Sequence, residues 1–209
     1  PPPPPTPTPT TSQSSAASDV YKRQLTNFSN IARECGVDSK TVKEYYQLLK
    51  DSLLGAFIEP FQKRQNRKVI TRTSKFYLFD VGVAGTITKR HVRQERGVDF
   101  GKAFEHFILM EIKAHNSYHE IDYEINFWRT KSGLEVDFIL GGGEIAIEVK
   151  GAGSIQNKDL RPLNAFIETN DPRKALVVCN EKKERIVGKV RITPWRKFLS
   201  DLWNGKIIA

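Results

Sequence analysis

Apolar positions along this chain recur with two different periods, and the alternation between them lays out its elements. Leu134 to Leu140 reads Leu-Glu-Val-Asp-Phe-Ile-Leu, and Glu144 to Lys150 reads Glu-Ile-Ala-Ile-Glu-Val-Lys. Both runs are rich in β-branched and apolar residues and flank Gly141-Gly142-Gly143, which predicts two strands and a turn. Ile121, Tyr123, Ile125 and Phe127 alternate ahead of them. Strands over 121–129, 134–140 and 144–150 would form an antiparallel meander. The period then lengthens. Leu160, Leu163 and Phe166 predict a helix near 158–168, followed by a strand at 175–179. A strand–helix–strand crossover lets that last strand pair parallel. Residues 185–192 predict an edge strand. Pro194 opens a terminal helix with Trp195, Phe198, Leu199 and Leu202 on one face, and Trp195 and Trp203 read as packing residues. Upstream, Phe104, Phe107, Ile108 and Ile112 form a helical stripe in residues 100–112.

Residues 26–54 predict two short helices around Gly36, capped by Asn27 or Ser29 and by Asp38 or Ser39. In the second helix Val42, Tyr45, Tyr46 and Leu49 fall at helical spacing, and both tyrosines read as core aromatics. Strands at 56–61 and 75–80 bracket a very basic turn over 62–68. Two helices and a hairpin make a winged-helix arrangement. Residues 1–24 are proline, threonine, serine and alanine with almost no large apolar side chains, so they predict a disordered, non-native low-complexity extension. The division is therefore 1–24 tail, 25–90 winged-helix module and 91–209 mixed sheet flanked by helices: an α/β protein.

Period two also places charge. Glu135 and Asp137 share one strand face, and Glu148 and Lys150 share one face of the next strand. With Leu140 opposite Ile145, Asp137 falls opposite Glu148 and Glu135 opposite Lys150, about 5 Å apart at Cβ. The partner faces (Leu134, Val136, Phe138, Leu140; Ile145, Ile147, Val149) are apolar. Facing carboxylates repel unless a cation lies between them, and hard oxygen ligands suit Mg²⁺ or Mn²⁺. Lys150 would orient water or offset charge on a phosphate. The competing reading is a charge-laced strand pair with a Glu135–Lys150 surface salt bridge. Glu105 lies beside the 100–112 stripe, either aimed into a cleft between helix and sheet or an ordinary boundary carboxylate. His106 reads as a surface or packing residue.

Phe127-Trp128-Arg129-Thr130-Lys131-Ser132-Gly133-Leu134-Glu135-Val136-Asp137-Phe138, followed by Ile147-Glu148-Val149-Lys150, resembles the nuclease-like domain of the DUF4143 family. The likeness runs from about Leu25 to the C-terminus. The resemblance implies the C-terminal part of a prokaryotic AAA-type ATPase, with a winged helix and a domain similar to the PD-(D/E)xK nucleases. Val136 stands where the namesake proline would be. The resemblance also implies a glutamate on a preceding helix, which matches Glu105. It thus implies catalytic Asp137, Glu148 and Lys150, and metal ligands Glu105, Asp137 and Glu148. No Gly-x-x-x-x-Gly-Lys-Ser/Thr occurs, so no ATPase activity carries over, and the chain reads as a fragment or lone C-terminal half.

The formal net charge of +9 and a pI near 9.5 point towards polyanions. DNA is the expected partner. Lys40, Lys43, Lys63, Arg64, Arg67 and Lys68 of the winged helix, with Arg129 and Lys131, are the candidate phosphate contacts, joined by Lys158 and Arg161. The alternative role for the winged helix is docking against an ATPase domain or chain. No apolar run approaches a transmembrane length. Cys35 and Cys179 lack metal spacing and read as free thiols in a reducing cytoplasm.

Overall fold

The computed structural model describes residues 25–62, 73–89, 92 and 94–208. The candidate contacts Lys63, Arg64, Arg67 and Lys68 lie outside these residues. Helix α1 (Phe28–Cys35) is capped by Asn27, whose side chain accepts from Asn30 N, and it ends at Gly36 in the left-handed region. Helix α2 (Ser39–Asp51) is capped by Asp38, which accepts from the Lys40 and Thr41 amides. Strands β1 (Gly55–Pro60) and β2 (Lys75–Leu78) pair antiparallel. Asp80 does not extend β2: it caps a helix absent from the sequence expectation, α3 (Val81–Ile87), by accepting from Val83 N. Of the two tyrosines expected in the core only Tyr46 is buried. Tyr45 points outward, because adjacent helical positions are about 100° apart and cannot share a narrow face.

Helix α4 (Val98–Tyr118) runs well beyond the predicted 100–112. Strand β3 (Ile125–Arg129) is shorter than the predicted 121–129, since Glu120 and Asp122 take positive φ and the chain turns there instead. Strands β4 (Glu135–Leu140) and β5 (Ile145–Lys150) follow, joined by a 3₁₀ turn at Gly141–Gly143. A 3₁₀ turn (Asn157–Leu160) leads into α5 (Arg161–Asn170), then β6 (Lys174–Cys179), β7 (Arg185–Val187), β8 (Val190–Pro194) and α6 (Trp195–Trp203). The predicted edge strand is in fact the β7–β8 pair.

The strands form one mixed sheet in the order β2-β1-β3-β4-β5-β6-β8-β7. The meander β3-β4-β5 is antiparallel, and β5-β6 and β6-β8 are parallel, as the crossover predicts. β1 pairs parallel with β3 through Glu59↔Asn126 and Pro60↔Phe127, so the N-terminal hairpin continues the C-terminal sheet. Helices α4 and α6 cover one face, where Phe104, Ile108, Ile112, Phe198 and Leu202 pack on Phe138, Ile147 and Val178. Helix α5 covers the other, with Leu163 and Phe166 on Ile139, Ala146 and Val177. Each such buried side chain is worth about 1.5–3 kcal/mol over its exposed state. Both cysteines are free. Among the described residues no helix is long and apolar enough to cross a membrane.

Candidate active site

The hairpin register holds as far as Phe138↔Ile147, Ile139↔Ala146 and Leu140↔Ile145. Beyond it the ladder stops, and the Asp137 carboxylate takes the place of a backbone acceptor: Val149 N donates to Asp137 Oδ2 at 2.8 Å. The reason lies on the other side of β4. Ile139 pairs with Asn126 and Val136 with Trp128, so three steps on β4 match two on β3. That extra residue is a bulge at Asp137–Phe138, and a bulge re-aims the side chains around it. The strict alternation predicted from the sequence breaks there. Val136 does not share a face with Phe138 and Leu140; it packs with Ile139 and Ala146 under α5. Glu135 likewise does not meet Lys150. It pairs with Arg129 on β3 and makes ion pairs with Arg129 (3.4 Å) and Lys75 (2.6 Å).

Asp137, Glu148 and Lys150 nevertheless act on one another, and Glu105 joins them. Burial and then the charges of Glu148 and Glu105 hold the Asp137 carboxyl well above the usual carboxylate range, against Lys75 and Lys150. Burial pushes Glu148 up to about 7, opposed chiefly by Lys150, with which it forms an ion pair. Burial alone would lower Lys150, but Glu148 and Asp137 outweigh it and raise it. Glu148 is 3% exposed, and among the described residues its Oε2 has no hydrogen-bond partner. A buried, partnerless carboxylate oxygen is costly and suits a cation. The donor set is one that Mg²⁺ or Mn²⁺ prefers, so these residues fit such an ion chemically. Among the described residues, however, no three His, Cys, Asp or Glu side chains gather closely enough to hold a metal together.

Two residues missed from the sequence help explain that spacing. Tyr77 donates to Glu105 Oε1 at 2.6 Å, and Lys75 Nζ lies 3.4 Å from the same oxygen. Both come from β2, two positions apart on one face. Their signal was present in the alternation Lys75-Phe76-Tyr77-Leu78: a polar pair on one side of a strand whose residues are nearly all buried. Burial would lower the Lys75 ammonium, yet Glu105, Asp137 and Glu135 together hold it above lysine's ordinary value. His106 is a packing residue as expected, buried with Nε2 2.7 Å from Leu78 O.

Of the other candidate contacts, Lys40, Lys43, Lys131, Lys158 and Arg161 are exposed. Lys40 pairs with Glu44 at 3.9 Å, and Lys43 lies over the Phe28 ring. Arg129 is tied to Glu135, at the margin of the carboxylate cluster.

No curated protein and no solved structure matches the chain. Residues 11–94 match a family model described as a domain of unknown function, DUF8612. Residues 100–198 match the model of another domain of unknown function, DUF4143, which spans α4 to the terminal helix and carries Glu105, Asp137, Glu148 and Lys150. Residues 100–198 of the chain thus belong to the DUF4143 family.

Proposed function

We propose that residues 98–203 are a nuclease-like domain that hydrolyses phosphodiesters of DNA with the help of a divalent metal. The observation that carries this reading is the meeting of Asp137, Glu148 and Lys150 at the place where β4 and β5 part, with a partnerless, buried Glu148 oxygen between burial and an ammonium. Asp137 and Glu148 would hold Mg²⁺ or Mn²⁺, and Glu105, which Lys75 and Tyr77 hold, would become a third ligand only on leaving them. A bound ion of this kind acidifies its water and offsets charge on a phosphate. The chain's own groups do the rest. Asp137 is fixed by the Val149 amide through Oδ2, so its other oxygen has a set direction. The Lys150 ammonium, steered by Glu148, orients a nucleophile or neutralises the phosphate. Arg129 and Lys131, and the exposed Lys40 and Lys43 of the N-terminal helices, supply phosphate contacts.

The test is cleavage of mixed DNA substrates by the full chain in Mn²⁺. Asp137→Asn and Glu148→Gln should each remove cleavage while leaving the circular dichroism spectrum unchanged. Undiminished cleavage by both variants rejects the assignment.

A second reading is favoured by one observation: Lys75 already neutralises Glu105 and Glu135 from within. In that reading the domain is a non-catalytic module that binds DNA or docks with an AAA-type ATPase domain or chain. It predicts no Mn²⁺ binding at millimolar concentration and measurable binding to such a chain.

A further inference from the structure

Lys75 reaches the carboxylates from the opposite end of the sheet's sequence. Strand β2 is bonded to β1, and β1 to β3, so the strand order carries Lys75 to the side of Phe127, with Nζ 5.2 Å from that ring's centroid. Its side chain is 1% exposed, and its ammonium lies 2.6 Å from Glu135 and 3.4 Å from Glu105. A lysine buried so completely is stable only because anions surround it. Tyr77, on the same strand face, clamps the same Glu105 oxygen. Together they hold Glu105 towards β2. Asp137 lies within electrostatic reach of Lys75 as well. Whatever cation approaches Asp137, Glu148 and Glu105 therefore meets a positive charge already seated among them, and like charges at such range repel.

We infer that Lys75 is a built-in cation of the acidic cluster, which neutralises Glu105 and Glu135 and competes with a divalent ion for Glu105. The N-terminal module thereby regulates metal entry into the C-terminal site. This rests on the metal-dependent reading given above.

Calorimetric titration of the metal-free full chain with Mn²⁺ tests it in wild type, Lys75→Met and Lys75→Met/Glu148→Gln. Lys75→Met should bind Mn²⁺ at least about tenfold more tightly than wild type, a gain lost when Glu148→Gln is added. Binding by Lys75→Met with none by wild type supports the inference equally. Equal or weaker binding by Lys75→Met, where wild type binds, overturns the inference and leaves the metal reading standing. If neither chain binds Mn²⁺, both fall. Should Lys75→Met fail to fold, acetylation of wild-type Lys75 followed by mass spectrometry gives the answer. Saturating Mn²⁺ should speed labelling of that residue several-fold, and an unchanged rate overturns the inference.

Discussion

Lys75 Nζ lies 2.6 Å from Glu135 Oε1, in a pair whose ends meet water very differently: the lysine side chain is 1% exposed and the glutamate 26%. Glu135 also holds Arg129 at 3.4 Å, but that guanidinium is 43% exposed. One carboxylate thus makes one sheltered ion pair and one wet one. Removing one partner of a buried pair leaves the other charge uncompensated, at a cost of about 3 kcal/mol or more, whereas an exposed pair is worth under about 1 kcal/mol. Because Glu105 still faces Lys75, Glu135→Ala should lower the stability of the chain by less than that, about 1–3 kcal/mol, and Arg129→Ala by less than about 1 kcal/mol. Urea unfolding curves decide it; equal losses would mean that Lys75 depends on Glu105 alone.

The bulge makes Asp137 a structural acceptor as well as a candidate ligand. Val149 N–H has no strand partner on the β4 side other than Asp137 Oδ2. Asp137→Ala should strand that amide, for a loss of about 1–2 kcal/mol. Amide exchange at Val149 should then accelerate far more than at Ile147, which keeps its place in the ladder opposite Phe138. Asp137→Asn keeps a side-chain oxygen acceptor and should protect Val149 nearly as well as wild type. Hydrogen exchange followed by NMR separates the two variants.

These two features also mark how far the sequence could be read. The hairpin 134–150 was legible because alternation and a glycine turn are local signals, and they gave the Leu140↔Ile145 register correctly. The bulge was not, because it is set by β3, where Asn126 and Trp128 leave room for an extra β4 residue. Glu135 was consequently assigned to the wrong neighbour. Asp137, Glu148 and Lys150 were named from strand alternation and Glu105 from the pattern of a family, and the fold does make them interact. Lys75 escaped notice since its partners come from α4 and β4, far along the chain. A lysine in a strand reads as a solvated edge until the sheet order is known.

Stability should depend on pH through buried groups of opposite sign. Burial lowers His106, despite its bond to Leu78 O, and burial followed by His119 lowers His115. Tyr123 OH donates to Ile112 O, so His115 Nδ1, 3.3 Å away, is the donor to Tyr123, and Nε2 is left without a proton and without a partner among the described residues. For both histidines the folded pKa lies below the unfolded value near 6.5, so the unfolded chain takes up protons first, and stability falls as pH drops through that range. Glu148 works the other way. Its folded pKa of about 7 exceeds the unfolded value near 4.5, so stability is lost as pH rises through 7. Relative to wild type, His115→Phe should gain in melting temperature as pH falls from 7 to 5. Glu148→Gln should show its largest advantage at pH 8 and little at pH 5. Parallel wild-type and variant curves from pH 5 to 8 would refute both assignments.

Helix α4 reaches the site by packing its first turn against the end of β5. Gly151 follows Lys150 directly, and a Cβ placed there would lie 2.9 Å from two atoms of the Phe100 ring. Phe100 stacks on Phe104 one turn along, at a centroid distance of 5.7 Å, and Phe104 precedes Glu105. The missing side chain at 151 therefore sets how closely the first turns of α4 approach the end of β5, and with it the distance from Glu105 to Glu148 and Lys150. Gly151→Ala should push Phe100 aside and cost about 1–3 kcal/mol, the usual penalty for overpacking. Phe100→Leu removes part of the ring and should recover a portion of that loss in the double variant, a coupling that a thermodynamic cycle measures. Strictly additive losses would show that Phe100 yields freely and that α4 is positioned by other contacts. A coupled result would tie the carboxylate geometry to a single glycine, because a shift of α4 moves Glu105 while Asp137 and Glu148 stay fixed in the sheet.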